Sequence, residues 1–338
     1  SYTVLPPGEE AHGLETAAVD LFALPRQVEV APDGDVVYVA TDQGLSYVDV
    51  TDPTTPVAAA LALGNGLSGL DVTPDGTRVY GISDTDGLLY RIGTGPVAAL
   101  ESLPLAFRPE GILVDPSGQR AYLATDEGRI PVRDIVEGSA TFLSEVGALV
   151  TPGTSLLGPM ALDPAGNFLL ALDGSGQVLI FDLETFELHA QAAVLSSARD
   201  VVVGPRGERA YVTDDAGHVS IVSLLSFANV LDIPTGGALL GAAVDPMGSF
   251  LYAVNHQLDN LDIVDLRSGS PTYRTITARV DQQVNPVDVA LSPEGLYAYV
   301  LIESTQRLAI NTVGVGPVLS SLSRRSGPEG TKVCLLYT

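Results

Sequence analysis

The sequence has almost no cysteine, almost no lysine and no long apolar run. Its one cysteine, Cys334, lies near the C-terminus, so no disulfide can form within the chain and the fold must rest on its packed interior. No apolar stretch approaches the roughly 18 residues of a membrane-crossing helix, so no membrane span is expected. Basic side chains number 17 against 41 acidic ones, and only Lys332 among them is a lysine. The formal net charge of −24 argues against nucleic acid or anionic lipid as a partner, because binding phosphate requires a basic surface. Long helical periodicity is also absent.

The chain does have length and apolar content. With 338 residues, 46% of them hydrophobic, it can bury a large core in one or two domains. A short pattern recurs along it: "APDGDVVYVATD" from Ala31, "TPDGTRVYGISD" from Thr73, "DPSGQRAYLATD" from Asp115 and "GPRGERAYVTDD" from Gly204. Anchored on the turn proline, seven units appear, at Pro32, Pro74, Pro116, Pro164, Pro205, Pro246 and Pro293. Their spacings of 42, 42, 48, 41, 41 and 47 residues fall in the range of four-stranded propeller blades.

Within a unit, an apolar strand leads into a Pro-x-Gly turn, a second strand, a polar turn and a third strand. In unit one these are "QVEVA", "PDG", "VVYVA", "TDQG" and "LSYVDV". Proline presets φ early in the turn and glycine accepts a positive φ at its end, which makes a compact hairpin. Looser apolar segments such as "PVAAALAL" (Pro56 to Leu63) supply a fourth strand. Seven such sheets around an axis leave no long open edge, and the expected fold is an all-β, seven-bladed β-propeller. Unit seven has no fourth strand after Asn311, whereas "TAAVDLFAL" (Thr16 to Leu24) precedes unit one without a partner. The N-terminal strand is therefore expected to complete the last blade, with Val19 and Leu21 buried. The expected divisions are a leader at 1–15, the propeller at 16–313 and an extension at 314–338.

The second-strand sequences "VYVATD" (Val37 to Asp42), "AYVTDD" (Ala210 to Asp215) and "LYAVNH" (Leu251 to His256) resemble the YVTN-type repeats of surface-layer propellers. Asp usually stands here where that motif has Asn, and unit four reads "LLALDG" without tyrosine. The resemblance implies an extracellular or cell-envelope protein. The repeat also resembles lactonase-type propellers, which keeps a hydrolase among the alternatives. The tail "GPVLSSLSRRSGPEGTKVCL" (Gly316 to Leu335) looks like the start of an IPT/TIG immunoglobulin-like domain, with Arg324 in place of the usual proline. It is too short to be the whole domain and is expected to be either a truncated module or a free strand, and as a strand it could join a partner or a second copy of the chain. Val318, Leu322, Val333 and Cys334 would form the apolar part of that arm.

Candidate site residues lie at one mouth of the expected channel. Six residues before the anchor prolines stand Arg26, Glu110 and Arg199, and five before stand Asp200 and Asp288, with Arg108 nearby. These could pair with one another as a plug or hold a carboxylate or sugar ligand. The turns between second and third strands are acidic. Asp84 and Asp86 in "SDTDG" have alternating carboxylates suited to start a Ca²⁺ site, but no bidentate glutamate follows. The competing reading is that such aspartates bond their own backbone as Asx turns. The four histidines form no repeated column and no serine sits in a nucleophile elbow. No catalytic set emerges, and Glu110, Asp200 and Asp288 are the only convergent candidates for a general base. The expected function is a non-enzymatic scaffold that contacts protein partners or itself, with no obligatory cofactor. The alternatives are a lactonase-like hydrolase and a calcium-dependent ligand-binding propeller.

Overall fold

A computed structural model describes residues 14–94, 100–151, 156–194, 197–282 and 284–313. These form seven four-stranded antiparallel sheets, six of them built from consecutive strands. We number the blades 1 to 7 after the seven anchor prolines in chain order. Their inner strands are Pro25–Val30, Gly69–Val72, Pro109–Val114, Leu156–Leu162, Ala198–Val203, Leu239–Val244 and Pro286–Leu291. Among the described residues, no helix is long and apolar enough to cross a membrane.

Blade 7 departs from the consecutive order, as the sequence predicts. Its outer strand is Leu14–Asp20, paired antiparallel with Arg307–Thr312 in the register Val19 opposite Leu308. Leu21 is buried at the end of this strand, and Val19 packs partly buried against the same cluster of Val28, Val37, Leu308 and Ile310. The closing strand starts at Leu14, two residues before the expected position.

Burial explains why the repeat has the residues it has. Strands buried on both faces become continuous apolar runs, whereas an outer strand alternates. The second strand of blade 6, Phe250–Asn255, is buried throughout, and the outer strand of blade 1, Val57–Ala62, has only half-buried and exposed residues. Each of the seven seams between neighbouring blades holds its own apolar cluster. Six residues after each anchor proline stands a tyrosine, namely Tyr38, Tyr80, Tyr122, Tyr211, Tyr252 and Tyr299, all buried; blade 4 has the buried Leu170 there.

The Pro-x-Gly turns do more than reverse the chain. In all seven, the glycine N–H donates to the carbonyl of the residue before the proline, at 2.8–2.9 Å, and the glycine φ lies between +67° and +80°. Each glycine also faces the proline of the preceding blade. A Cβ added at Gly76 would lie 3.6 Å from Pro32 Cδ, and one at Gly295 would lie 3.0 Å from Pro246 Cδ. Gly34 of blade 1 meets Pro293 of blade 7, so these contacts run round the whole ring. The residue before the proline then caps the hairpin. Asp115, Asp163 and Asp245 each accept two backbone N–H bonds from the start of the second strand, such as Ser249 N at 2.6 Å from Asp245.

Candidate functional site

The inner strands enclose a central cavity of about 530 Å³, lined in part by Gln27, Glu29, Asp200, Asp288, Met160 and Leu162. A strand turns alternate side chains to opposite faces, so a polar residue five positions before the anchor proline can project where its neighbours six positions before cannot. That offset separates two groups of candidate residues that the sequence places side by side.

The first group stays at the mouth and is paired. Asp84, in the polar turn of blade 2, receives Arg108 at 3.0 Å from blade 3 and Arg26 at 3.9 Å from blade 1. Arg108 also reaches Glu110 at 3.3 Å. Burial raises the Asp84 carboxyl, but the Arg108 hydrogen bond and the two arginine charges outweigh it and hold the group below its usual range. Burial pushes Glu110 up despite Arg108. On the other side of the mouth, Arg199 grips Asp215 through two bonds of 2.7 and 2.5 Å. Arg199 therefore pairs with the turn aspartate, not with its sequence neighbour Asp200.

The second group lies inside and bridges blades. Asp200 of blade 5 accepts from Val201 N at 2.8 Å and from Ala242 N of blade 6 at 2.9 Å. Asp288 of blade 7 accepts from Val289 N and from Val28 N of blade 1, both at 2.9 Å. Gln27 of blade 1 accepts from Leu70 N of blade 2 at 3.0 Å. Two positions further on, Asp71 of blade 2 accepts from Val72 N at 2.7 Å and from Val114 N of blade 3 at 2.6 Å. Each of these side chains fastens its own inner strand to that of the next blade. The sequence pattern does not reveal these clasps, because acceptor and donor lie 42 to 260 residues apart.

Glycine makes room for one clasp. A Cβ at Gly241, five residues before its own anchor proline, would lie 2.1 Å from Asp288 Oδ1.

Four carboxyls thus share the channel. Burial pushes Asp200 up to about 6 and Asp71 up to about 7. Burial and then the Asp200 charge push Asp288 up to about 8. Glu29 is raised well above its usual range by burial and by the charges of Asp71, Asp288 and Asp200. Chemically, this set can hold protons near neutral pH, and Asp71, Asp200 and Asp288 also accept backbone hydrogen bonds.

Asp84 and Asp86, the expected start of a cation site, serve different partners. Asp86 takes Asn65 N at 3.2 Å and Asn65 Nδ2 at 2.6 Å, which ties blade 1 to blade 2, while Asp84 faces the arginines. Among the described residues no group of three His, Cys, Asp or Glu side chains is placed to hold a metal ion. Other turn aspartates bond backbone, as an Asx turn requires: Asp173 accepts from Ser175 N and Gln177 N, both at 2.9 Å. His189 packs edge-on against Phe227, with ring centroids 4.5 Å apart, and His256 Nδ1 lies 3.1 Å from Pro286 O. Val318, Leu322, Val333 and Cys334 lie outside the described residues.

No protein-family model and no curated protein matches the sequence. Among 1852 solved chains that match in structure is one from Kuenenia stuttgartiensis, described as hydrazine synthase. It has a TM-score of 0.75 and 20% sequence identity over 88% of this chain and 98% of that one. At that identity the likeness carries the fold and nothing of the activity, and it agrees with the seven four-stranded sheets that make this chain a seven-bladed β-propeller.

Proposed function

We propose that this chain is a non-enzymatic propeller that works as a rigid interaction scaffold, outside the cell or on its surface. The observation that supports this reading is the use made of three of the four channel acids. A catalytic acid or base must turn a free oxygen or proton towards a substrate atom. Asp71, Asp200 and Asp288 instead place one oxygen on their own strand and the other on the next blade. The arginines at the mouth are likewise engaged by Asp84, Glu110 and Asp215.

In this reading the disc offers its outer strands as contact surfaces. Each ends its sheet, and a sheet edge can accept a further strand from a partner. The apolar residues Val318, Leu322 and Val333 would make the segment around 316–335 such a strand, with Cys334 seated as a small hydrophobe. Placement outside the cell rests on the resemblance of repeats such as "VYVATD" to surface-layer propellers.

Light scattering on the chain with and without residues 314–338 tests the association. The full chain is expected to assemble and the shortened one to run as a monomer; equal sizes would contradict the reading. Turnover of a lactone or ester that Glu110→Ala abolishes would contradict the non-enzymatic part.

A further inference from the structure

Blades 3 and 6 are the two long units, and the extra residues form the same loop twice. "DIVEGSATFL" (Asp134 to Leu143) and "DLRSGSPTYR" (Asp265 to Arg274) each join the third strand to the outer strand. Their backbone hydrogen bonds correspond one for one, and so do those of the two threonines. Asp134 accepts from Val136 N at 2.9 Å and from Thr141 Oγ1 at 2.5 Å; Asp265 accepts from Arg267 N at 2.8 Å and from Thr272 Oγ1 at 2.7 Å. Leu143 N and Arg274 N each donate to the loop's first carbonyl at 2.7 Å, and both residues have positive φ, at 59° and 63°. One loop can therefore be compared with the other, residue by residue.

An arginine from the preceding blade meets each loop. Arg78 and Arg209 both stand four residues after their anchor proline and begin their second strands. Between blades 2 and 3 the loop answers with a carboxylate. Glu137 receives Arg78 Nη2 at 2.8 Å and Nε at 3.0 Å, and also the guanidinium of Arg91. Between blades 5 and 6 the position of Glu137 is held by Ser268, and that of Arg91 by Ile221. Arg209 has no carboxylate partner among the described residues and bonds Tyr273 Oη at 3.0 Å instead.

A cleft opens where the glutamate is missing. A cavity of about 340 Å³ lies there, lined by Arg206, Arg209, Arg267, Met247 and Ser268, among others. Arg206 has neither a hydrogen bond nor an ion pair among the described residues, while Arg267 is held by Asp265 at 3.0 Å. Arg274 stacks on the Tyr273 ring with its guanidinium 4.6 Å from the centroid. Although burial raises the Tyr273 hydroxyl, Arg209 and Arg274 bring it below its usual range, as a positive field would. Glu208 lines the same cavity but pairs with neither Arg206 nor Arg209. Four arginines collected at one seam of a chain with net charge −24 are a local reversal of sign.

We propose that the cleft between blades 5 and 6 binds a small carboxylate ligand, whose carboxylate takes the place that Glu137 occupies between blades 2 and 3. The guanidinium fork matches a carboxylate through two parallel bonds. A single negative charge suits the site better than the roughly twofold charge of a phosphate monoester, because Glu208 and the acidic bulk of the chain repel each added charge. The cavity volume lies at the lower end of the range for small-molecule pockets. This inference is independent of the scaffold reading.

The test is thermal unfolding of the full chain in sodium glucuronate, acetate or inorganic phosphate, with sodium chloride holding ionic strength constant. Glucuronate should raise Tm saturably, by about 2–4 °C at tenfold or more over its Kd, with phosphate weaker. Arg209→Ala should weaken binding at least about tenfold. Ser268→Glu restores the glutamate of the other loop, so it should abolish the shift while leaving the protein at least as stable. That variant keeps the test informative if Arg209→Ala unfolds. No saturable shift in the wild type would overturn the proposal, as would binding retained in Ser268→Glu. Phosphate binding more tightly than either carboxylate would overturn the choice of ligand.

Discussion

Asp288 closes the seam between the last blade and the first, and replacing it separates a structural role from a chemical one. Asp288→Ala leaves Val28 N–H and Val289 N–H without their acceptors. An orphaned buried donor costs about 1–3 kcal/mol, and water in the channel lowers that, so a loss of about 2–3 kcal/mol is expected for the pair. Asp288→Asn keeps one acceptor oxygen and should cost about 1 kcal/mol at pH 5. The pH dependence gives a second handle. The folded carboxyl, raised to about 8, holds a proton that the unfolded one releases near 4. Between those values the native state binds more protons, so this group's stabilisation is complete below about pH 4 and declines as pH rises to about 8. The slope is up to about 1.4 kcal/mol per pH unit, or as much as ~4 kcal/mol from pH 5 to pH 8. Carboxyls held below their usual range, such as Asp134 and Asp75, act with the opposite sign, but only below about pH 4. Urea unfolding at pH 5, 6.5 and 8 should therefore find Asp288→Asn less stable than wild type at pH 5 and equal or more stable at pH 8. A pH-independent difference between the two proteins, or an alanine variant no costlier than the asparagine one, would refute this reasoning.

Three further outcomes follow from the same contacts. Gly241→Ala places a Cβ within 2.1 Å of Asp288 Oδ1; overpacking of this kind costs about 1–3 kcal/mol, and denaturant midpoints should show it, with part of the loss removed in the double variant Gly241→Ala/Asp288→Gly. Deleting residues 1–24 removes the outer strand of blade 7 and the buried Leu21. Leucine burial of about 2–3 kcal/mol plus strand hydrogen bonds makes a loss of roughly 5 kcal/mol, and Arg307–Thr312 becomes an open edge, so a lower Tm with aggregation is expected and an unchanged Tm would count against ring closure. Because Asp84 is engaged by two arginines and Asp86 by Asn65, neither added Ca²⁺ nor EDTA should move Tm; a clear shift would place a cation at these carboxylates.

The architecture was legible because it rests on local chemistry repeated seven times. Pro-x-Gly fixes a hairpin at each anchor, the spacing of 41–48 residues sets the sheet size, and an apolar strand without a partner at each end of the repeat array implies closure. The site was less legible because it depends on which neighbour lies one blade away. Arg199 and Asp200 are adjacent in sequence yet point into different surroundings, one to Asp215 at the mouth and the other to Ala242 N inside. Asp71 and Glu29, three residues before their anchors, also line up only once the ring exists. The arginine cleft has a signal in the sequence, but only as a difference between two loops. The segments "DIVEGSATF" and "DLRSGSPTY" account for the two longest spacings, and their difference at Glu137 and Ser268 marks the change of charge.

Side chains in the channel clasp four of the seven seams between blades, and amide hydrogen exchange tests that most directly. Val28, Leu70, Val114 and Ala242 donate to Asp288, Gln27, Asp71 and Asp200. All four amides should exchange as slowly as the central strands in the wild type, and in Asp288→Ala protection at Val28 should fall first. Exchange of these amides at loop rates in the wild type, or unchanged protection of Val28 in the variant, would contradict it.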